Sequence, residues 1–205
     1  ELTLSILTSL SSLKIESVYG FLFHNADNLI DYPELWTTLV KLRNEKIASK
    51  IGYSIYSTKQ LDHLLEYGFI PDIIQLPYSL LDRQFEKYFK ILKKLGTKIH
   101  VRSVFLQGLY FMDIKNLPQN LLPLKKYLIN IETICDEFNV SIGELALNFV
   151  YENKLIDKIV IGVDSSNQLN QNIQMIKNWN SNNNINELIN KITVKEQNLL
   201  SPINW

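Results

Sequence analysis

Short runs rich in Val, Ile, Tyr and Phe alternate along this chain with longer stretches whose apolar residues recur every three or four positions. That alternation restricts the fold more than any other feature, because a run of half a dozen β-formers makes a strand and a three-to-four spacing makes a helix with one buried face. Strands are expected at Val18 to Phe23, Lys50 to Tyr53, Ile73 to Leu76, Lys98 to Val104 and Ile159 to Val163. Between them lie helical stripes: Leu7, Leu10 and Leu13; Leu35, Trp36, Leu39 and Leu42; Leu61, Leu64 and Leu65; Phe85, Tyr88, Phe89 and Leu92; Leu124, Leu128, Ile131 and Cys135. Ser57 or Thr58 suits a helix start, Ser141 with Glu144 reads as a capping box, and Gly68 and Gly96 suit helix ends.

Repeated βα units build a parallel sheet with helices outside. A doubly wound open sheet and a (β/α)8 barrel both satisfy the pattern. No strand is followed by a Gly-rich phosphate turn, which removes the usual warrant for the first. A barrel needs eight units and typically about 250 residues, whereas 205 residues with about five units are present. The expectation is an α/β chain forming an incomplete (β/α)8 TIM barrel. Residues 1–205 are read as one partial barrel domain. Residues 178–205 form an Asn-rich C-terminal extension, in which Asn178 to Asn190 reads as solvated linker around a short helix.

Hydrophobic residues make up 46% and charged residues 20% of the sequence, which suits a folded globular chain. Lys plus Arg and Asp plus Glu are 21 each, so no net field draws the chain to nucleic acid or anionic lipid. One cysteine, Cys135, cannot close an internal disulfide, and a reducing compartment, the cytoplasm, is expected. No apolar run reaches the roughly 18 residues of a membrane span. The chain begins at Glu1 rather than Met, and a longer translated product is expected.

In a parallel barrel the chemistry sits at the C-terminal ends of the strands, and there the runs end in polar residues: His24, Ser54, Gln75, Arg102 with Ser103, and Asp164 with Ser165. Any strand must give way to a polar loop, so one such end means little. Five together, with Gln75 inside I-I-Q-L-P where an aliphatic residue is the norm, point to a bound polar ligand. His63, in a helical stripe, and His100, inside a strand, are read as structural. Asp27 has no matching ligand pair, so no metal site is proposed. Cys135 lies on an apolar helical face and is assigned to packing.

These residues resemble the aldo-keto reductase family over nearly the whole chain, to about Trp179. Ser9-Leu10-Ser11-Ser12-Leu13 resembles the family's S-L-x-x-L helix, F-L-F-H its histidine-bearing strand, and K-I-G-Y-S its I-G-x-S segment. I-I-Q-L-P-Y-S-L-L-D-R is similar to Q-x-x-Y-N-x-L-D-R, and V-R-S-V-F-L-Q-G-L stands where the family has Y-S-P-L-x-x-G. I-G-V-D-S-S-N-Q-L-N-Q-N-I resembles the closing cofactor segment.

The resemblance implies a barrel that binds NAD(P)H without a Rossmann motif and reduces a small-molecule carbonyl, aldehyde or ketone, to an alcohol by hydride transfer. It implies that His24 bonds the substrate carbonyl and that Ser54 and Gln75 hold the nicotinamide carboxamide. Ser103, Phe105 and Gln107 would line the pyrophosphate, with Ser165, Gln168 and Asn172 at the phosphate and adenosine end. The family's catalytic aspartate, tyrosine and lysine come from strands that precede the first helix here, so the amino-terminal third is expected to be missing. Ile55 stands where the family has an asparagine, and Arg102 where an aromatic usually stacks on nicotinamide. Asp164 stands where members preferring NADP often carry a cation, which points to NAD. The competing expectation is a non-catalytic, nucleotide-binding or regulatory relative, or a decayed fragment.

Overall fold

The computed structural model describes residues 2–201 and 204–205. Five strands, β1 (Val18–Phe23), β2 (Ala48–Ser54), β3 (Ile73–Pro77), β4 (Lys98–Arg102) and β5 (Lys158–Ile159), lie in one parallel sheet in chain order, β1-β2-β3-β4-β5. This is the α/β arrangement expected of successive βα units. The fifth strand is shorter than its apolar run: Val160 N–H still donates to Val101 O at 2.8 Å, but Val160 and Val163 remain 43% and 40% exposed. Burial on both faces, which sustains a continuous apolar strand, is missing there.

The chain divides into two compact units, Glu1–Leu76 with Lys87–His100, and Pro77–Glu86 with Val101–Trp205. In the first, helices α1 (Leu2–Leu13), α2 (Asp27–Asp31), α3 (Glu34–Asn44), α4 (Thr58–Glu66) and most of α5 (Glu86–Lys94) accompany the strands. α1 buries Ile6 and Leu10, whereas Leu7 and Leu13 are exposed. Its inner face therefore follows a four-residue step, closer to the 3.6-residue turn along one line than the expected three-residue stripe. Ser57 and Gln60 close a capping box at the start of α4. Gly68 and Gly96 follow α4 and α5 with φ of 74° and 81°, left-handed values that glycine adopts without penalty. Gly52 is required for another reason: a Cβ there would meet the Ile73 carbonyl oxygen at 1.7 Å. Asp72 ties the foot of the sheet, accepting from Ile51 N at 3.0 Å and from Arg43 Nη1 at 3.1 Å.

The second unit follows β4 with three short 3-10 turns, over Leu106–Phe111, Ile114–Asn116 and Gln119–Leu124. Helices α6 (Lys125–Phe138), α7 (Ile142–Tyr151), α8 (Ser166–Lys177) and α9 (Asn183–Lys191) complete it. Ser141 and Glu144 form the expected capping box of α7. The Asn-rich tract does contain a short helix, but it is more than solvated linker. Ile185 and Ile189 of α9 are 2% and 1% exposed and join the unit's apolar core. Arg83 secures its end, donating through Nη2 to the carbonyls of Ile189 at 2.8 Å and Ile192 at 2.6 Å, where the helix's unsatisfied carbonyls favour a cation.

Candidate functional site

Strand register in the first unit brings three of the polar strand ends into one row. Phe23 lies opposite Tyr53, so the next residue, His24, comes level with Ser54, and Ser54 lies opposite Gln75. Residues in register on parallel neighbours share a face, with strands about 4.8 Å apart. The alternate positions Tyr53 and Ile74 are fully buried on the other face. Ser54 is 5% exposed, Gln75 is half-buried and His24 is exposed. Among the described residues, none of these three side chains has a hydrogen-bond partner. Their donors and acceptors are therefore open to a polar guest.

The row continues. Lys98 N–H donates to Asp72 O at 2.9 Å, and Tyr78 N–H donates to Arg102 O at 3.1 Å. In a parallel ladder these bonds set Lys98 opposite Ile73 and Arg102 opposite Pro77, and therefore His100 opposite Gln75. Composition and strand-end position do not reveal this, because His100 lies inside its strand; only the pairing register does.

In the second unit the segment after β4 is held in unusual backbone. Ser103, Leu106, Gln107 and Gly108 have φ of 61°, 46°, 53° and 83°, and non-glycine residues enter this region at a cost of order 1–3 kcal/mol unless their surroundings impose it. Leu106 is buried in the core of the unit. Phe105 packs on Phe111 with ring centroids 5.5 Å apart and the rings tilted, while Gln107 is exposed. Arg102 Nη1 donates to Ser103 Oγ at 3.3 Å. At the start of α8, Ser165 Oγ accepts from Gln168 N at 3.2 Å and Gln168 Oε1 accepts from Asp164 N at 2.7 Å. Both groups thus serve as helix cap, which leaves the Ser165 O–H and the Gln168 amide N–H groups as the remaining donors. Asn172, one turn further on, is 7% exposed.

The P-Y-S-L-L-D-R turn also explains itself. Ser79 Oγ accepts from Asp82 N and from Tyr110 Oη, both at 3.1 Å, and Tyr110 Oη accepts from Leu81 N at 3.2 Å. Asp82 is 2% exposed. Burial pushes its carboxyl up to about 6, against the opposing pull of the Gln84 hydrogen bonds and the Arg102 charge. Burial likewise raises the thiol of Cys135 to about 11, with Asp136, Glu132 and Glu144 adding to the shift, which leaves it a packing residue rather than a nucleophile. No group of three or more His, Cys, Asp or Glu side chains among the described residues is placed to hold a metal ion, and no helix among them is long and apolar enough to cross a membrane.

Comparison with known proteins follows the same line. The model of the aldo/keto reductase family matches residues 1–192. A pyridoxal 4-dehydrogenase of Microbacterium luteolum is 30% identical over 105 residues, 47% of this chain; the chain spans 30% of the length of that curated relative. Among solved structures, the holo form of an aldo-keto reductase of Bacillus halodurans superposes with a TM-score of 0.75 at 20% identity, over 94% of this chain and 68% of that one. The glycerol dehydrogenase of Gluconobacter oxydans does so with a TM-score of 0.72 at 18% identity, over 92% and 62%. At those identities the structures speak for the fold.

Proposed function

This chain belongs to the aldo/keto reductase family, and from that we propose that it serves an NAD(P)-dependent oxidoreductase that reduces an aldehyde or ketone to an alcohol. The observation that carries the reading is the row of His24, Ser54 and Gln75 on one sheet face, each side chain without a partner among the described residues. A nicotinamide dinucleotide bound there supplies the hydride. The Ser54 hydroxyl and Gln75 amide each offer a donor and an acceptor, which is what a primary carboxamide requires if one face of its ring is to be held toward the substrate. The His24 imidazole donates to the carbonyl oxygen and stabilises the negative charge that grows there during reduction.

In the second unit, Ser103, Phe105 and Gln107 are assigned to the pyrophosphate. The donors at the start of α8, Ser165 and Gln168, together with Asn172, are assigned to the phosphate and adenosine end. Asp164, exposed beside them, repels a 2′-phosphate, which favours NAD over NADP. The neighbours' names, pyridoxal and glycerol dehydrogenases, attach to small polar molecules, and a small polar carbonyl compound is the substrate class assigned here. The balanced charge and the single buried cysteine suit a cytoplasmic enzyme without a nucleic-acid partner.

A non-catalytic nucleotide-binding relative would keep Ser54 and Gln75 but would not need His24. His24→Ala in the whole protein separates the two. Turnover of a reactive aldehyde is expected to fall on the order of a hundredfold to a thousandfold, with NADH affinity and melting temperature near wild type. Turnover within a few-fold of wild type would remove His24 from the chemistry and favour binding without catalysis.

A further inference from the structure

The capping box of α4 has a glutamine as its third helical residue, whereas the box of α7 has a glutamate. Capping asks only for an oxygen that accepts from the N-cap N–H, and a carboxylate also suits the positive end of the helix dipole. Glu144 meets that need at α7, accepting from Ser141 N at 2.9 Å and Ser141 Oγ at 2.7 Å. Gln60 accepts through Oε1 from Tyr56 N at 2.8 Å and Ser57 N at 3.2 Å, which leaves its amide nitrogen to donate elsewhere. It donates to Asp27 Oδ1 at 2.9 Å. An ionised glutamate has no donor for that bond.

The bond joins two turns of the candidate site. Asp27 lies three residues past His24, and Ser57, the N-cap of α4, lies three past Ser54. The turn after His24 is tight: Asn25 O accepts from Asn28 N at 3.2 Å, Asn25 Oδ1 accepts from Asp27 N at 3.3 Å, and Ala26 is buried. The helix it opens, α2, has five residues, too few to hold its shape without tertiary partners. Buried Leu29 is one such partner and the Gln60 amide is another. His24 and Ser54 stand level on neighbouring strands, so the Asp27–Gln60 bond ties the turn that carries the one to the helix start that follows the other.

We infer that Asp27 and Gln60 are positioning residues for His24, holding its turn to the start of α4 so that the imidazole keeps one place relative to Ser54. The inference rests on the reading of His24 as the donor to the substrate carbonyl. A donor aids the reaction only while it is aimed at the developing charge, so a loosened turn costs turnover rather than cofactor affinity. Because Asp27 is exposed, loss of the bond is worth a few-fold and not the whole contribution of His24.

The test uses the whole protein and measures kcat with a reactive aldehyde, the NADH dissociation constant and melting temperature. Gln60→Glu keeps the capping oxygen and sets a carboxylate against Asp27. It is expected to lower kcat about three- to tenfold, with NADH affinity within about twofold and melting temperature near wild type. Combining it with Asp27→Asn exchanges donor and acceptor, and kcat should return to within about twofold of wild type. In a His24→Ala background Gln60→Glu should change turnover no further. Unchanged kcat in Gln60→Glu, no recovery in the double variant, or the same fold-loss with His24 already removed would each overturn the inference. His24→Ala alone shows which idea has failed: if it collapses turnover while Gln60→Glu does not lower it, only the positioning role falls; if it leaves turnover within a few-fold of wild type, the role of His24 falls and this inference with it.

Discussion

Asp82 shows how a single residue in the L-D-R turn couples the fold to pH. Its carboxyl titrates near 6 in the folded chain against 3.8 unfolded, because burial disfavours its charged form. Between those values the folded state binds the proton more tightly, so this residue's contribution to stability is lost as pH rises from about 4 to about 6 and is present below that window. The shift corresponds to about 3 kcal/mol at most. The urea midpoint of the wild-type protein should therefore carry a downward component between pH 4.5 and pH 6.5 that Asp82→Asn, which keeps the shape and removes the titration, abolishes. An unchanged slope in Asp82→Asn would mean that the carboxyl is not held up by burial. In the sequence Ile55 stood out as the residue in place of the family's asparagine and Gly52 as part of the I-G-x-S segment, but neither the burial of the one nor the need for the other was visible there. The reason for the glycine, a carbonyl 1.7 Å from an absent Cβ, belongs to the sheet, as does the complete burial of Ile55.

At the level of elements, caps and stops were legible because their chemistry is local. Ser57 with Gln60 and Ser141 with Glu144 satisfy helix N–H groups within one turn, and the left-handed glycines follow from the backbone alone. What depended on a partner was not legible. The face of α1 was displaced to Ile6 and Leu10, β5 stopped after two residues, and His100 acquired its place only through pairing with β3. The docking of α9 is a further case, since Asn-rich composition hides two buried isoleucines and a guanidinium that binds their helix's terminal carbonyls. Arg83→Met should leave those carbonyls without their donor and loosen α9. Amide hydrogen exchange over residues 183–191 is expected to accelerate at least tenfold, with exchange in α6 much less affected; equal protection in variant and wild type would show that Ile185 and Ile189 hold the helix unaided.

At the scale of the whole chain, the order of the five strands and their helices was readable, because a parallel sheet built from consecutive βα units leaves few alternatives. The candidate site was readable at His24, Ser54 and Gln75 as polar strand ends, and their convergence in a single register row is what the structure adds. On the proposed function, Ser54 and Gln75 hold a nicotinamide carboxamide. Its most direct test is fluorescence titration of the whole protein and its Gln75→Ala variant with NADH, with ADP-ribose as the control. NADH affinity is expected to be lower by about 1–3 kcal/mol, some five- to 150-fold, since the carboxamide loses a hydrogen-bond partner, with ADP-ribose affinity unchanged. An NADH dissociation constant equal to that of the wild type would contradict it.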